Sequence, residues 1–160
     1  MKDSRVERFN AITGKAPSKN INELYKQVEN QCTYLLEEVK ETLQAAQENN
    51  VVEVVDGVCD VKYVASQLQT LVESIGVEFE GAFSEVCNNN DKKFTTVYNQ
   101  ACAWEGYYAE QNKDVYISHV KYKGEDYFTV CDAATNKTLK YKNFPKVDLN
   151  PFIPKELINA

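Results

Sequence analysis

Residues 21–48, INELYKQVENQCTYLLEEVKETLQAAQE, and residues 51–75, VVEVVDGVCDVKYVASQLQTLVESI, are separated only by Asn49 and Asn50, and their reading decides the fold. In the first stretch Ile21, Leu24, Val28, Cys32, Leu35, Val39 and Leu43 recur at spacings of three and four, the period of a helix with one apolar face. Asn20 stands where an N-cap belongs, Glu23 takes the capping-box position, and Asn49-Asn50 ends the run. The valines of the second stretch would suit a strand. However, strict alternation is absent, and Leu68, Leu71, Val72 and Ile75 continue at helical spacing up to Gly76, so the stretch reads as a second long helix. Being apolar nearly all round, it is expected to be the buried central helix.

Outward from this pair, a short helix is expected over residues 78–87, a polar loop over 88–93 and a helix over 95–111. From Asp114 the texture changes to a hairpin, with strands at 115–120 and 127–130 about a Lys123-Gly124-Glu125-Asp126 turn. A third short strand is expected at 138–141, and the tail from Pro145 to Pro154 reads as irregular. The expectation is a mainly α protein: a helical bundle over 1–112 carrying a small β-rich extension over 113–160.

Composition narrows the chemistry. The 43% hydrophobic and 26% charged fractions are those of a folded globular chain. No apolar run reaches the roughly 18 residues of a membrane span, and MKDSRVERFN has no apolar signal core, so a cytoplasmic protein without membrane partners is expected. Cys32, Cys59, Cys87, Cys102 and Cys131 are scattered without Cys-x-x-Cys spacing and read as reduced thiols, mostly core filler. The one histidine, His119, falls in a strand and reads as structural. Zinc hydrolases and Ser-His-Asp or Cys-His enzymes are therefore disfavoured, and the absence of a Gly-x-x-x-x-Gly-Lys-Ser/Thr loop disfavours P-loop chemistry. A net charge of -6 argues against nucleic acid as a partner.

Carboxylates remain. Glu37, Glu38 and Glu41 share one side of the first long helix, and Glu53, Asp56 and Asp60 share one face of the second. If the helices pair antiparallel across Asn49-Asn50, the two acidic faces meet, and such repulsion calls for a cation between them. Mg²⁺, which takes carboxylate oxygens together with phosphate oxygens, is the fitting ion, with Mn²⁺ as its substitute. The competing reading is that these are ordinary solvated helix faces.

The run Leu35-Leu36-Glu37-Glu38-Val39-Lys40-Glu41, followed by Val55-Asp56-Gly57-Val58-Cys59-Asp60-Val61-Lys62-Tyr63-Val64, resembles the Glu-x-x-Glu and acidic-x-x-Asp signature of the MazG-like nucleoside triphosphate pyrophosphohydrolases. Arg8-Phe9-Asn10 to Gly14 is similar to the short N-terminal helix of that family, and Gly76 to Val86 to its next helix. Asn89-Asn90-Asp91-Lys92-Lys93-Phe94 resembles its Ser-Asn-Met-Ser-Lys-Phe loop, and 138–149 a β-rich tail of phage-type members, for which a host-cell cytoplasm would be implied.

The resemblance implies an oligomeric α-helical bundle that binds Mg²⁺ between two acidic helices and releases pyrophosphate from a nucleoside triphosphate. Glu38 and Glu41 match the first motif. The second aligns either on Glu53 and Asp56 or with Asp60 in the last position, Gly57 replacing the expected acid and Asp56 compensating. Glu38, Glu41, Asp56, Asp60 and Glu53 are then the implied metal ligands, with Glu37 or Glu38 as the residue that orients or deprotonates water. Asn90, Lys93 and Asn10 are the implied substrate contacts. Asn10 stands where some relatives carry histidine, which leaves base preference open. A homodimer or higher homo-oligomer is implied as well, although Trp104, Tyr107 and Tyr108 with the hairpin would also serve to cover the apolar helix within one chain. The alternatives in function are a non-catalytic nucleotide- or partner-binding bundle, and a narrow relative acting on dUTP or phosphoribosyl-ATP. The intact set of four acids weighs against the first.

Overall fold

The computed structural model describes residues 3–158. It is mainly helical with one β-hairpin, in the order α1 (Ser4–Ile12), α2 (Ile21–Gln47), α3 (Val51–Glu73), α4 (Phe79–Asp91), α5 (Tyr98–Ala109), β1 (Val115–Tyr122) and β2 (Glu125–Asp132). A 3-10 turn at Asn150–Phe152 and the short α6 (Lys155–Ile158) end the chain. The chain divides into two compact units: one runs to Phe79 and takes in the segment from Asn150, the other is Glu80–Leu149. Most of α4 and all of α5 are thus grouped with the hairpin, whereas the sequence reading placed them with the bundle.

In the first unit the caps explain the helix limits. The Asn20 side chain accepts from the backbone N–H groups of Asn22 and Glu23, and Asn50 accepts from that of Glu53. Between α2 and α3, Asn49 takes the left-handed conformation at φ 56°, which asparagine tolerates better than most residues, so three residues reverse the chain. The helices run antiparallel. Gln31 Nε2 donates to the Val64 carbonyl at 3.2 Å, and Thr42 lies against Gly57.

That last contact sets the helix separation. A β-carbon built on Gly57 would collide with Thr42 Oγ1 and come within 3.2 Å of the Thr42 Cα. Thr42 Oγ1 is itself held by a 2.7 Å bond to the Glu38 carbonyl, so it cannot swing away freely. Gly57→Ala gains about 1 kcal/mol in helix propensity. Overpacking costs about 1–3 kcal/mol, and here it should win because the crowded atoms are backbone or adjacent to it. A lowered urea midpoint is expected; an unchanged or raised one would show that the helices have room to spare.

The core of this unit is formed by Val6, Leu24, Ala45, Val64 and Leu71. The expectation of a buried central helix holds only for the second half of α3. Val51 and Val52 are each 71% exposed, and Val55 and Val58 are exposed as well, because α2 covers only the side bearing Gly57 and Val64. Gly76, at φ 86°, ends α3, and the Glu78 N–H donates to the Phe152 carbonyl.

In the second unit α5 packs on the antiparallel hairpin, with Ala101, Tyr108, Val130 and Cys131 at its centre. The strands are longer than expected and meet at a two-residue turn, Lys123-Gly124, both with positive φ. Two further segments touch β2 by single bridges, Thr95 to Phe128 and Thr138 to Cys131, so the expected third strand is reduced to one bridge. Tyr108 donates its hydroxyl to the Lys140 carbonyl, and Trp104 stacks on Tyr141 at 4.9 Å, which holds that segment without a ladder. Helix α4 also runs four residues past its expected end. Asn89 is buried there, its side chain donating to the Pro145 carbonyl at 3.0 Å, and this tertiary bond outweighs the weak helix propensity of the asparagines.

Candidate functional site

The register that sets Gln31 against Val64 and Thr42 against Gly57 brings Glu38 opposite Asp60, with Glu41 beside Asp56 and Asp60. A cleft of about 210 Å³ opens here in the hairpin of α2 and α3. Glu41 and Glu48 line it from α2 and the residue after it, and Glu53, Asp56 and Asp60 from α3. Ala45 and Gly57, both buried, are the small residues that let the walls approach. The acids on the walls are exposed; although α3 reads as a buried helix, Asp56 and Asp60 face water.

Glu38 is half-buried, and its carboxyl is pushed above the ordinary glutamate range. Desolvation contributes most, followed by the charges of Asp60, Glu41, Glu37 and Asp56. These five acids therefore share one field, and among the described residues none of them is ion-paired to a lysine or arginine. A hard divalent cation fits such an all-oxygen set. Among the described residues no group of three or more His, Cys, Asp or Glu side chains is gathered into a metal-holding set.

Residues 6–90, more than half of the 160-residue chain, match the model of the family described as phosphoribosyl-ATP pyrophosphohydrolase. The chain belongs to this family. Membership in the phosphoribosyl-ATP pyrophosphohydrolase family makes it a MazG-like all-α pyrophosphohydrolase, a hydrolase of nucleotide substrates. The matched span holds the whole α2–α3 hairpin and nearly all of α4, and it leaves β1 and β2 outside. No curated protein and no solved structure matches the chain.

Asn10 is 5% exposed, and its amide donates to the Val6 carbonyl of its own helix at 2.8 Å, which gives it a structural bond. Asn90 and Lys93 belong to the second unit. There Lys93 Nζ donates to Asn90 Oδ1 at 2.6 Å, and both line a cavity of about 400 Å³ shared with Lys140 and Lys146, an electropositive recess that the sequence reading did not assemble. His119 stacks on Phe128 at 4.8 Å and bonds Asp126 at 2.8 Å on the hairpin. Of the cysteines only Cys131 is buried, while Cys32, Cys59 and Cys87 are exposed, so core filling describes one of them and not the set.

Among the described residues no helix is long and apolar enough to cross a membrane.

Proposed function

We propose that the α2–α3 cleft hydrolyses a nucleoside or deoxynucleoside triphosphate to the monophosphate and pyrophosphate with the help of Mg²⁺. The observation that carries this reading is the clustering of Glu37, Glu38, Glu41, Asp56 and Asp60 about the α2–α3 cleft, none of them ion-paired to a lysine or arginine among the described residues. Glu38, Glu41, Asp56 and Asp60, with Glu53 at the edge of the same cleft, would hold the ion. When bound, it would neutralise the acids, bind the triphosphate and act as a Lewis acid on the phosphoanhydride. Asp60 and Asp56 are the α3 charges that raise Glu38, which favours the alignment of the second acidic motif on Asp56 and Asp60.

The chain's own contribution is to orient water. One carboxylate of the Glu37–Glu38 pair takes its proton as the oxygen attacks at the α/β phosphoanhydride, and the bond to the leaving pyrophosphate breaks. A second reading, phosphoribosyl-ATP as substrate, is favoured by the name of the matching family and calls on the same chemistry. Phosphorus NMR of reactions on each canonical triphosphate, its deoxy counterpart and phosphoribosyl-ATP tests both readings. Pyrophosphate and a monophosphate ester are expected in Mg²⁺, and neither in excess EDTA. Full turnover by thoroughly metal-stripped protein would overturn the metal's part.

A further inference from the structure

The hairpin lies wholly outside residues 6–90, and one of its faces is partly uncovered. Side chains directly opposite each other in an antiparallel pair share a face. The register therefore sets Ser118 with Thr129 and Val120 with Tyr127 on one side, and His119 with Phe128 on the other. The Phe128 side is used by the fold, its ring meeting Tyr98 of α5 at 5.3 Å and stacking on His119. The Tyr127 side opens instead on a cavity of about 500 Å³, a size that small molecules occupy. Val120, Tyr122 and Phe94 stay 57%, 58% and 42% exposed there.

Three aromatic rings border this cavity at steep angles to one another. Phe94 meets Tyr127 at 82° with ring centres 5.4 Å apart, and Tyr122 meets Tyr127 at 64° and 6.4 Å. Rings so crossed form a corner rather than a slot, which suits a compact rounded group and not a flat one. The chain holds the corner in place without a ligand. Thr95 is tied to Phe128 by two backbone hydrogen bonds of 2.8 and 2.9 Å, and Thr129 Oγ1 donates to the Lys93 carbonyl at 2.8 Å, so Phe94 is pinned between them. The Tyr127 hydroxyl donates to Glu125 Oε2 at 2.8 Å, which anchors the second ring.

Electrostatics select the group. An aromatic face carries negative charge density and attracts cations. Asp91 lines the same cavity, is not ion-paired among the described residues, and is the last residue of α4, whose carbonyl end adds partial negative charge. Among the described residues no lysine or arginine lines the cavity. The ammonium of Lys123, outside this lining, lies 5.2 Å from the Tyr122 ring centre, so that ring already serves the chain's own turn as a cation platform.

We propose that this cavity binds a small organic cation through an alkylated ammonium group. The methyl-covered nitrogen fills the aromatic corner, and its charge is met by the rings and by Asp91. A bare ammonium is compact and strongly hydrated, and loses more on entry. A flat uncharged ring gains neither the shape of the corner nor its charge.

Three probes separate these contributions in an NMR titration of the nitrogen-15-labelled 160-residue chain. Choline carries the methylated cation; dimethylbutanol is its uncharged isostere, with carbon in place of nitrogen; ethanolamine keeps the charge and lacks the methyl groups. Choline is expected to bind at least about tenfold more tightly than either, with amide shifts gathered around Phe94, Tyr122 and Tyr127. Tyr122→Leu and Asp91→Asn, both at exposed positions, should each weaken choline about tenfold, and Tyr122→Trp should retain it. Equal binding of dimethylbutanol would show a merely apolar pocket, and equal binding of ethanolamine a general attraction of charge. Shifts confined to the α2–α3 carboxylates would show a cation drawn to the acidic cleft. Any of these, no binding of choline, or choline binding unchanged in both weakened variants would overturn the proposal.

Discussion

Glu41→Gln and Asp60→Asn are each expected to lower kcat by about a hundredfold or more while the protein stays folded. Both side chains are exposed on the cleft walls, so neither contributes to the core. Each lies within the field that raises the Glu38 carboxyl, so neutralising it removes repulsion, worth a few tenths of a kcal/mol per pair. The urea midpoint should therefore hold or rise slightly as activity falls. The loss arises because a charged oxygen that would hold the cation against the substrate has become neutral. Substantial activity in both variants would move the chemistry elsewhere, and a large drop in midpoint would give these acids a structural role.

A second large effect is expected at the face of the hairpin turned away from the carboxylates. Leu36, Val39 and Leu43 repeat at helical spacing on α2, and Val51, Val52, Val55 and Val58 do so on α3, all of them exposed. Covering seven such side chains at about 1.5 kcal/mol each stabilises an assembly by roughly 10 kcal/mol, comparable to the cost of association. We propose a homodimer formed through this face, which fits the oligomer implied by the family resemblance. Sedimentation at micromolar concentration should give twice the 18.2 kDa chain mass, and Val52→Lys with Val55→Lys should shift it to monomer. A single fully active species near 18.2 kDa would show that the face needs no second copy.

Much of the first unit was legible in the sequence because its signals are local. The three-and-four spacing of apolar residues sets α2, Asn20 marks its start as the N-cap, and Asn49-Asn50 marks the break before α3, where Asn50 proves to be the cap of the second helix. The acidic spacing on each helix could be read in the same way, whereas the pairing of Glu38 with Asp60 needed the register that Thr42 and Gly57 impose. The exposure of the first half of α3 is not legible in the sequence, because hydrophobicity reports what a helix prefers to cover and not whether this chain covers it. In the second unit, the length of α4 depended on Asn89 reaching Pro145, a contact between distant residues that no window of sequence contains.

The most direct test of the carboxylate cleft as a pyrophosphohydrolase site is the phosphorus spectrum of a reaction on the preferred nucleotide, followed from its start with wild-type protein in Mg²⁺. Pyrophosphate and the monophosphate ester should accumulate in equal amounts, with no orthophosphate at early times. Orthophosphate and a diphosphate, or an unchanged substrate spectrum across the whole panel with folded protein, would contradict it.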